Sequence, residues 1–234
     1  PGEKVGLRGS VPITGWELHE GNVCRARVPQ EALAAGRFWQ LSYKGKRQTL
    51  ARYPNLDPQH PRSGGFCYVA GVVEADSKTL LEYNPERLDP TVWSRPTEMR
   101  VHVWSWLNWN RNICPIGAVD PEEQVITLAQ PAGYKLIEGN RFFVENAYEE
   151  LDAPGEWYFD AASGYVYFWP PDGGDPGNDV SVPVLDDLIR FQGSADSFTT
   201  RVRIEHLDLR ETRSGLVRFG FADNCAVVGC TLEN

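Results

Sequence analysis

The sequence predicts an all-β fold. The 234 residues contain 22 glycines and 17 prolines, which punctuate the chain too often for long helices. Between these breaks lie short runs of aromatic and aliphatic residues, and the last third repeats its apolar positions at a fixed interval.

In chain order, "PGEKVGLRGSVPITG" (1–15) holds two aliphatic beats, Val5/Leu7 and Val11/Ile13, each followed by turn-forming residues, as short strands require. "PQEALAAG" (29–36) is one of the few helical segments, with proline at its start and glycine at its end. "FWQLSYKGKRQTLARYP" then reads as a strand, a tight turn at Lys44-Gly45, and a strand that stops before Pro54. Residues 55–65 form a Pro/Asp/Gly-rich loop, and "FCYVAGVVEA" resumes as a strand. After the loop "YNPERLDPTVWSRPTE" comes "MRVHVWSWLNW", in which Val101, Val103, Ser105 and Leu107 share one parity and His102, Trp104, Trp106 and Asn108 the other. Neither face is plainly solvated.

"QVITLAQP" and "NRFFVENAYEEL" follow as strands. "EWYFDAASGYVYFWPP" (156–171) carries seven aromatic residues in sixteen positions and reads as a hairpin about "DAASG", its second strand in need of cover on both faces. The rings mark packing rather than a sugar grip. "DGGDPGND" (172–179) is a loop or domain boundary.

Beyond it, "VRIEHLDL" from Val202 aligns with "CAVVGCTL" from Cys225. Val202 matches Cys225, Ile204 matches Val227, Leu207 matches Cys230 and Leu209 matches Leu232, all at an offset of 23. Coils that stack small apolar side chains on those of a neighbour produce such a period. Residues 1–15 share that aliphatic texture and the aromatic middle does not. The organisation expected is a β-helix begun by residues 1–15, interrupted by an inserted β domain over 16–180, and resumed over 181–234.

These segments resemble right-handed parallel β-helix carbohydrate-active enzymes with a β-barrel or β-sandwich insertion, similar to glycoside hydrolase family 141 and its relatives. The resemblance rests on "SVPITGW" (10–16), "GKRQTLARYPN" (45–55), "FFVENAYEELDAPGEWYFD" (142–160), "GYVYFWPP" (164–171) and "GLVRFGFADNCAVVGCTLEN" (215–234). It implies a secreted, periplasmic or cell-surface protein acting on a plant or microbial polysaccharide or oligosaccharide. It also implies that the catalytic acids sit on later coils, beyond Asn234, with this chain the N-terminal and inserted-domain portion. The alternatives are a non-catalytic carbohydrate-binding or surface β-helix protein, and a β-helical polysaccharide lyase.

Charge narrows the partners. Lys+Arg 23 against Asp+Glu 32 gives a net charge of -9, which opposes nucleic acid and anionic membranes, and no run of eighteen apolar residues offers a membrane span. The first ten residues lack the apolar stretch of a signal peptide. The five cysteines, Cys24, Cys67, Cys114, Cys225 and Cys230, lack zinc or redox spacing and read as mostly free buried thiols, with one disulfide as the alternative.

Glycoside hydrolysis needs two carboxyl groups across the scissile bond. Glu205, Asp208 and Glu211 are weak candidates, since parity turns Ile204, Leu207 and Leu209 inward and these acids outward. His102, Trp104, Trp106, Asn108 and Arg111 form the best local candidate for a sugar-facing patch: indoles cover pyranose faces, the polar groups supply hydrogen bonds, and Arg111 suits an acidic sugar. Core or interface packing is the competing role for those rings. His206 beside Glu205 and Asp208 lacks a spaced second histidine for zinc, and 172–179 lacks the twelve-residue EF-hand pattern, so calcium is physically possible there but not indicated. No phosphate-cradling loop suggests a nucleotide cofactor. His19, His60, His102 and His206 complete no nucleophile–base signature.

Overall fold

The computed structural model describes residues 5–234. It is all-β, built from antiparallel and parallel sheets, with one short α-helix, Gln30–Ala34, running from Pro29 to the left-handed Gly36 as the sequence predicts. The chain divides into two compact units. One is Leu50–Phe159; the other comprises the residues up to Thr49 and from Asp160 to Asn234.

In the unit Leu50–Phe159, antiparallel strands lie in the order Leu80–Glu82, Val125–Leu128, Asn110–Asp120, Arg100–Ser105, Arg141–Glu145 and Arg52–Tyr53, with Cys67–Tyr68 also pairing to Arg141–Glu145. Side chains of a strand alternate between faces. Val101, Val103, Cys114, Phe142 and Val144 therefore enter one core, together with Leu81, Met99, Ile116 and Ile126. The strand expected over "FCYVAGVVEA" shrinks to Cys67–Tyr68, and Val72 and Val73 are exposed. Consecutive apolar residues there lack the alternation that a half-buried strand needs.

In the other unit, Ser42–Tyr43 and Lys46–Arg47 make the predicted hairpin, with positive φ at Lys44 and Gly45 as a two-residue turn of this kind demands. Tyr165–Phe168 pairs with Val23–Arg27, and the latter with Glu17–Glu20. Along Tyr165–Phe168 the alternation is cleaner than the sequence suggested: Val166 and Phe168 are fully buried, while Tyr165 and Tyr167 are half-buried. Arg27 lies 4.6 Å from the Tyr165 ring and His19 meets Tyr167 edge-on at 5.0 Å, so the outer rings are covered by side chains. Ser10–Ile13 pairs antiparallel with Val180–Pro183.

Val180–Pro183 also pairs antiparallel with Ser42–Tyr43, and the strand pairs formed by residues 187–234 are parallel. Asp187–Gln192 lies beside Gly215–Gly220, Thr199–Thr200 beside Ala222–Asp223, and Arg203–Glu205 beside Ala226–Val228; Leu207–Arg210 is flanked by Val5–Arg8 and Thr231–Glu233. Ile204 faces Val227 and Leu209 faces Leu232, the offset of 23 expected from sequence. The backbone turns through the left-handed region at Arg201, His206 and Glu211, then again at Asn224 and Gly229, which lie 23 residues after the first two. Amides of the earlier bends donate across to the later stretch: Arg201 N to Asp223 O (3.2 Å), His206 N to Val228 O (3.1 Å) and Glu211 N to Glu233 O (3.3 Å). All five cysteines are free, with Cys24, Cys67 and Cys114 buried.

Candidate functional site

The sheet of the unit Leu50–Phe159 has a second face. Opposite the core, Arg100, His102 and Trp104 project beside their cross-strand neighbours Glu145, Phe143 and Arg111. Their contacts form one network. Glu145 Oε1 accepts from Arg100 Nε and from His102 Nε2, the latter at 2.8 Å. Arg111 Nη2 donates to His102 Nδ1 at 2.7 Å.

A guanidinium can only donate. Nδ1 must therefore be the acceptor, the imidazole is neutral with its proton on Nε2, and that proton points at Glu145. Burial lowers the His102 pKa, the same direction, against the raising influence of Glu145. Burial pushes Glu145 upward, but the hydrogen bonds and charges of His102 and Arg100 outweigh it and hold the carboxylate below its ordinary range. With both ring nitrogens engaged and the ring stacked on Phe143 at 4.3 Å, His102 positions Arg111 rather than transferring protons.

Trp104 holds cations. Arg141 lies 4.6 Å and Arg111 5.6 Å from its ring centroid, and Phe66 meets it at 5.4 Å in a T-shaped contact. Arg52, buried over Phe143 at 3.6 Å, donates to the carbonyls of Pro54 and Gly65. Burial lowers its pKa to about 10.

Trp106 and Asn108 do not continue the strand. The strand ends at Ser105, and both residues have left-handed backbones, φ 58° and 61°. Distant residues fix this turn: Asn140 Nδ2 donates to Trp106 O at 2.6 Å, Asn108 Nδ2 to Gly139 O at 3.1 Å, and Arg141 N to Asn108 Oδ1 at 2.8 Å. The turn presents Trp109, 63% exposed, with its ring 5.6 Å from that of the exposed Tyr134. Gly133 N donates to Asn112 Oδ1 at 2.8 Å, anchoring the loop that carries Tyr134 to the strand. Lys135 Nζ lies 4.9 Å over Trp106. A largely exposed indole paired with a phenol is the kind of surface that stacks on sugar rings. Sequence parity had not singled out Trp109 or Tyr134.

The three candidate acids lie in the other unit. Glu205 is exposed and paired with Arg203 at 2.6 Å, a contact that lowers its pKa, and Asp208 is paired with Arg210 at 2.8 Å. Glu211, expected to point outward, is instead buried: it shares the parity of the buried Leu209 and sits at a left-handed bend. Its Oε2 accepts from Ser10 Oγ (2.5 Å) and Ser181 Oγ (2.7 Å), and Arg8 stands 3.8 Å from Oε1. Arg8, Ser10, Asp208 and Arg210 line an open cavity of about 580 Å³.

Among the described residues no three His, Cys, Asp or Glu side chains gather to hold a metal ion. In the 172–179 loop, Asp172 accepts from Lys44 Nζ (2.5 Å) and Tyr43 Oη (2.9 Å), and Asp175 from Gly177 N (2.8 Å). No helix among the described residues is long and apolar enough to cross a membrane.

No family model matches this chain, and no curated protein matches it. A solved structure described as a glycoside hydrolase is similar to it, with a TM-score of 0.71 over 91% of this chain at 22% identity. The match occupies 37% of that protein, so this chain spans well under half the length of its structural relative. At such identity the likeness is one of fold, shared with part of that structure.

Proposed function

We propose that this chain is the N-terminal and inserted-domain portion of a β-helical glycoside hydrolase. Residues 1–15 and 181–234 supply coils, and 16–180 the insertion that shapes one wall of a glycan cleft. The observation that carries this reading is the TM-score of 0.71 to a glycoside hydrolase over 91% of the chain. The parallel ladders at an offset of 23, with left-handed bends repeating at the same interval, support stacked coils. The glycan contact is the Trp109–Tyr134 pair, and the carboxylates that cleave the bond lie on coils beyond Asn234. Such a protein works outside the cytoplasm, in the secreted, periplasmic or cell-surface compartment.

Two measurements test this. Wild-type chain and Trp109→Ala are titrated with cellotetraose and xylotetraose; the substitution is expected to weaken binding ~10-fold, about 1.4 kcal/mol, for a lost stacking contact. Unchanged affinity would remove Trp109 from the site. A chain extended by its downstream coils is then assayed on neutral and acidic polysaccharides for new reducing ends and unsaturated products. Reducing ends without unsaturation indicate hydrolysis, unsaturated ends indicate elimination, and neither leaves a binding protein.

A further inference from the structure

The chain is acidic overall, at -9, yet the outer face of the Leu50–Phe159 sheet is not. Arg52, Arg100, Arg111 and Arg141 meet there around the His102–Phe143 and Trp104–Phe66 rings, and Glu145 is a carboxylate in contact with this group. Glu145 is already engaged by Arg100 and His102.

Among the described residues, neither Arg111 nor Arg141 has a carboxylate within 4.0 Å. The bonds they do make fix them in place. Arg111 uses Nη2 on His102, and Arg141 uses Nη1 on the carbonyl of Arg62. Arg141 Nε is buried with no hydrogen-bond partner. Each is also held against Trp104, so the indole is occupied as a support for guanidinium groups rather than offered as a sugar platform. Two positioned guanidinium forks without a counter-charge, in a protein whose net charge would readily supply one, form a receptor for an oxyanion. Arg111 follows the exposed Trp109 by two residues along the chain.

We propose that Arg111 and Arg141 bind the acidic group of an anionic sugar, a uronate carboxylate or a sulfate ester, while the Trp109–Tyr134 pair holds its sugar ring or the next one along the chain. This rests on the glycan-binding role proposed above and adds the class of substrate: an acidic rather than a neutral polysaccharide.

The test titrates the 234-residue protein with tetragalacturonate, its fully methyl-esterified form, a sulfated carrageenan tetrasaccharide and neutral xylotetraose. It is run with wild type, Arg111→Gln, Arg111→Lys and Trp109→Ala, each checked for native circular dichroism. Losing charge-assisted hydrogen bonds from one guanidinium is expected to weaken tetragalacturonate about 10- to 100-fold in Arg111→Gln and to leave the methyl ester within about twofold. Arg111→Lys, which keeps the charge without the fork, falls between. In wild type, raising the salt from 50 to 500 mM weakens the acid and spares the ester; this arm needs no variant to fold.

Arginine-dependent binding of the sulfated probe alone also supports the proposal and identifies the acidic group as a sulfate ester. Equal affinity for acid and ester without arginine-dependent binding of the sulfated probe, or an Arg111→Gln affinity within twofold of wild type for both acidic probes, overturns it. If xylotetraose binds through Trp109 while acidic probes bind no more tightly, only this inference falls. If no probe binds, the glycan-binding reading falls with it.

Discussion

The antiparallel sheet of Leu50–Phe159 and the parallel ladders of 187–234 are both made of short strands, but they bury their apolar residues differently. The first closes a core of its own, in which Leu81, Val101, Val103, Ile126 and Val144 are completely buried. In 187–234 the buried apolar residues are Phe191 and Leu209, whereas Phe219, Phe221 and Leu232 are each more than half exposed. An antiparallel sheet folds its core under one face. In the parallel ladders Leu209 lies between Leu7 and Leu232 and is covered, whereas Leu232 has its ladder partner on one side and is not.

That contrast makes the largest predicted effect a core deletion in the antiparallel unit. Phe142→Ala removes a ring 1% exposed at the centre of the sheet and is expected to cost ~3–5 kcal/mol in urea unfolding. In the ladders, Leu209→Ala is expected to cost ~2–4 kcal/mol and Leu232→Ala under ~0.5 kcal/mol, although the two residues are register partners. Equal costs at 209 and 232 would show that position in the ladder does not govern burial here.

Next in size is a pH effect confined to the antiparallel unit. Glu156 is 3% exposed, and burial raises its pKa from 4.5 to about 8 against two backbone N–H donors, Asp152 and Ala153, at 3.2 Å. The folded state therefore holds a proton that the unfolded chain has lost above about 4.5. This stabilising contribution is complete below that pH and disappears as pH rises through about 8, a loss on the order of 2 kcal/mol or more. Glu156→Gln keeps an oxygen for the two N–H groups and removes the titration. Its melting temperature is expected to fall less than wild type's between pH 5 and 8.5; parallel curves would show that Glu156 is ionised in the fold.

What could be read from sequence follows the same division. Local periodicities were legible: the parity of 101–105 separates Val101, Val103 and Ser105, which the structure buries completely, from His102 and Trp104, and the offset of 23 anticipates the register of Ile204 with Val227 and Leu209 with Leu232. Leu207 and Cys230 also meet, through an amide-to-Sγ contact of 3.4 Å. Non-local fixation was not legible. The strand ends at Ser105 because Gly139, Asn140 and Arg141, more than thirty residues away, hold Trp106 and Asn108 in a turn. The only local hint is asparagine at 108, a residue that tolerates left-handed backbone. The outward expectation failed for Glu211 because the residue shares the parity of Leu209 and is buried as Leu209 is. Arg141 entered the candidate site unannounced, since nothing in "GNRFFVEN" indicates that its neighbour across the sheet carries Trp104.

The smallest effect tests whether the bends, rather than the strands, set the path of the parallel region. Gly229 has φ +59°, and a Cβ there would lie 2.7 Å from His206 Nδ1. His206 occupies the same bend 23 residues earlier at φ +57° without being glycine, so the left-handed conformation alone is tolerated at this corner. Gly229→Ala is expected to cost ~1–2 kcal/mol, lowering the melting temperature by about 2–4 °C per kcal/mol. The double variant His206→Gly/Gly229→Ala separates the two contributions: removing the imidazole should recover the steric part and leave ~1 kcal/mol of backbone cost. Full additivity would mean that His206 does not press on the following parallel strand, and that the 23-residue spacing is held by the ladders alone.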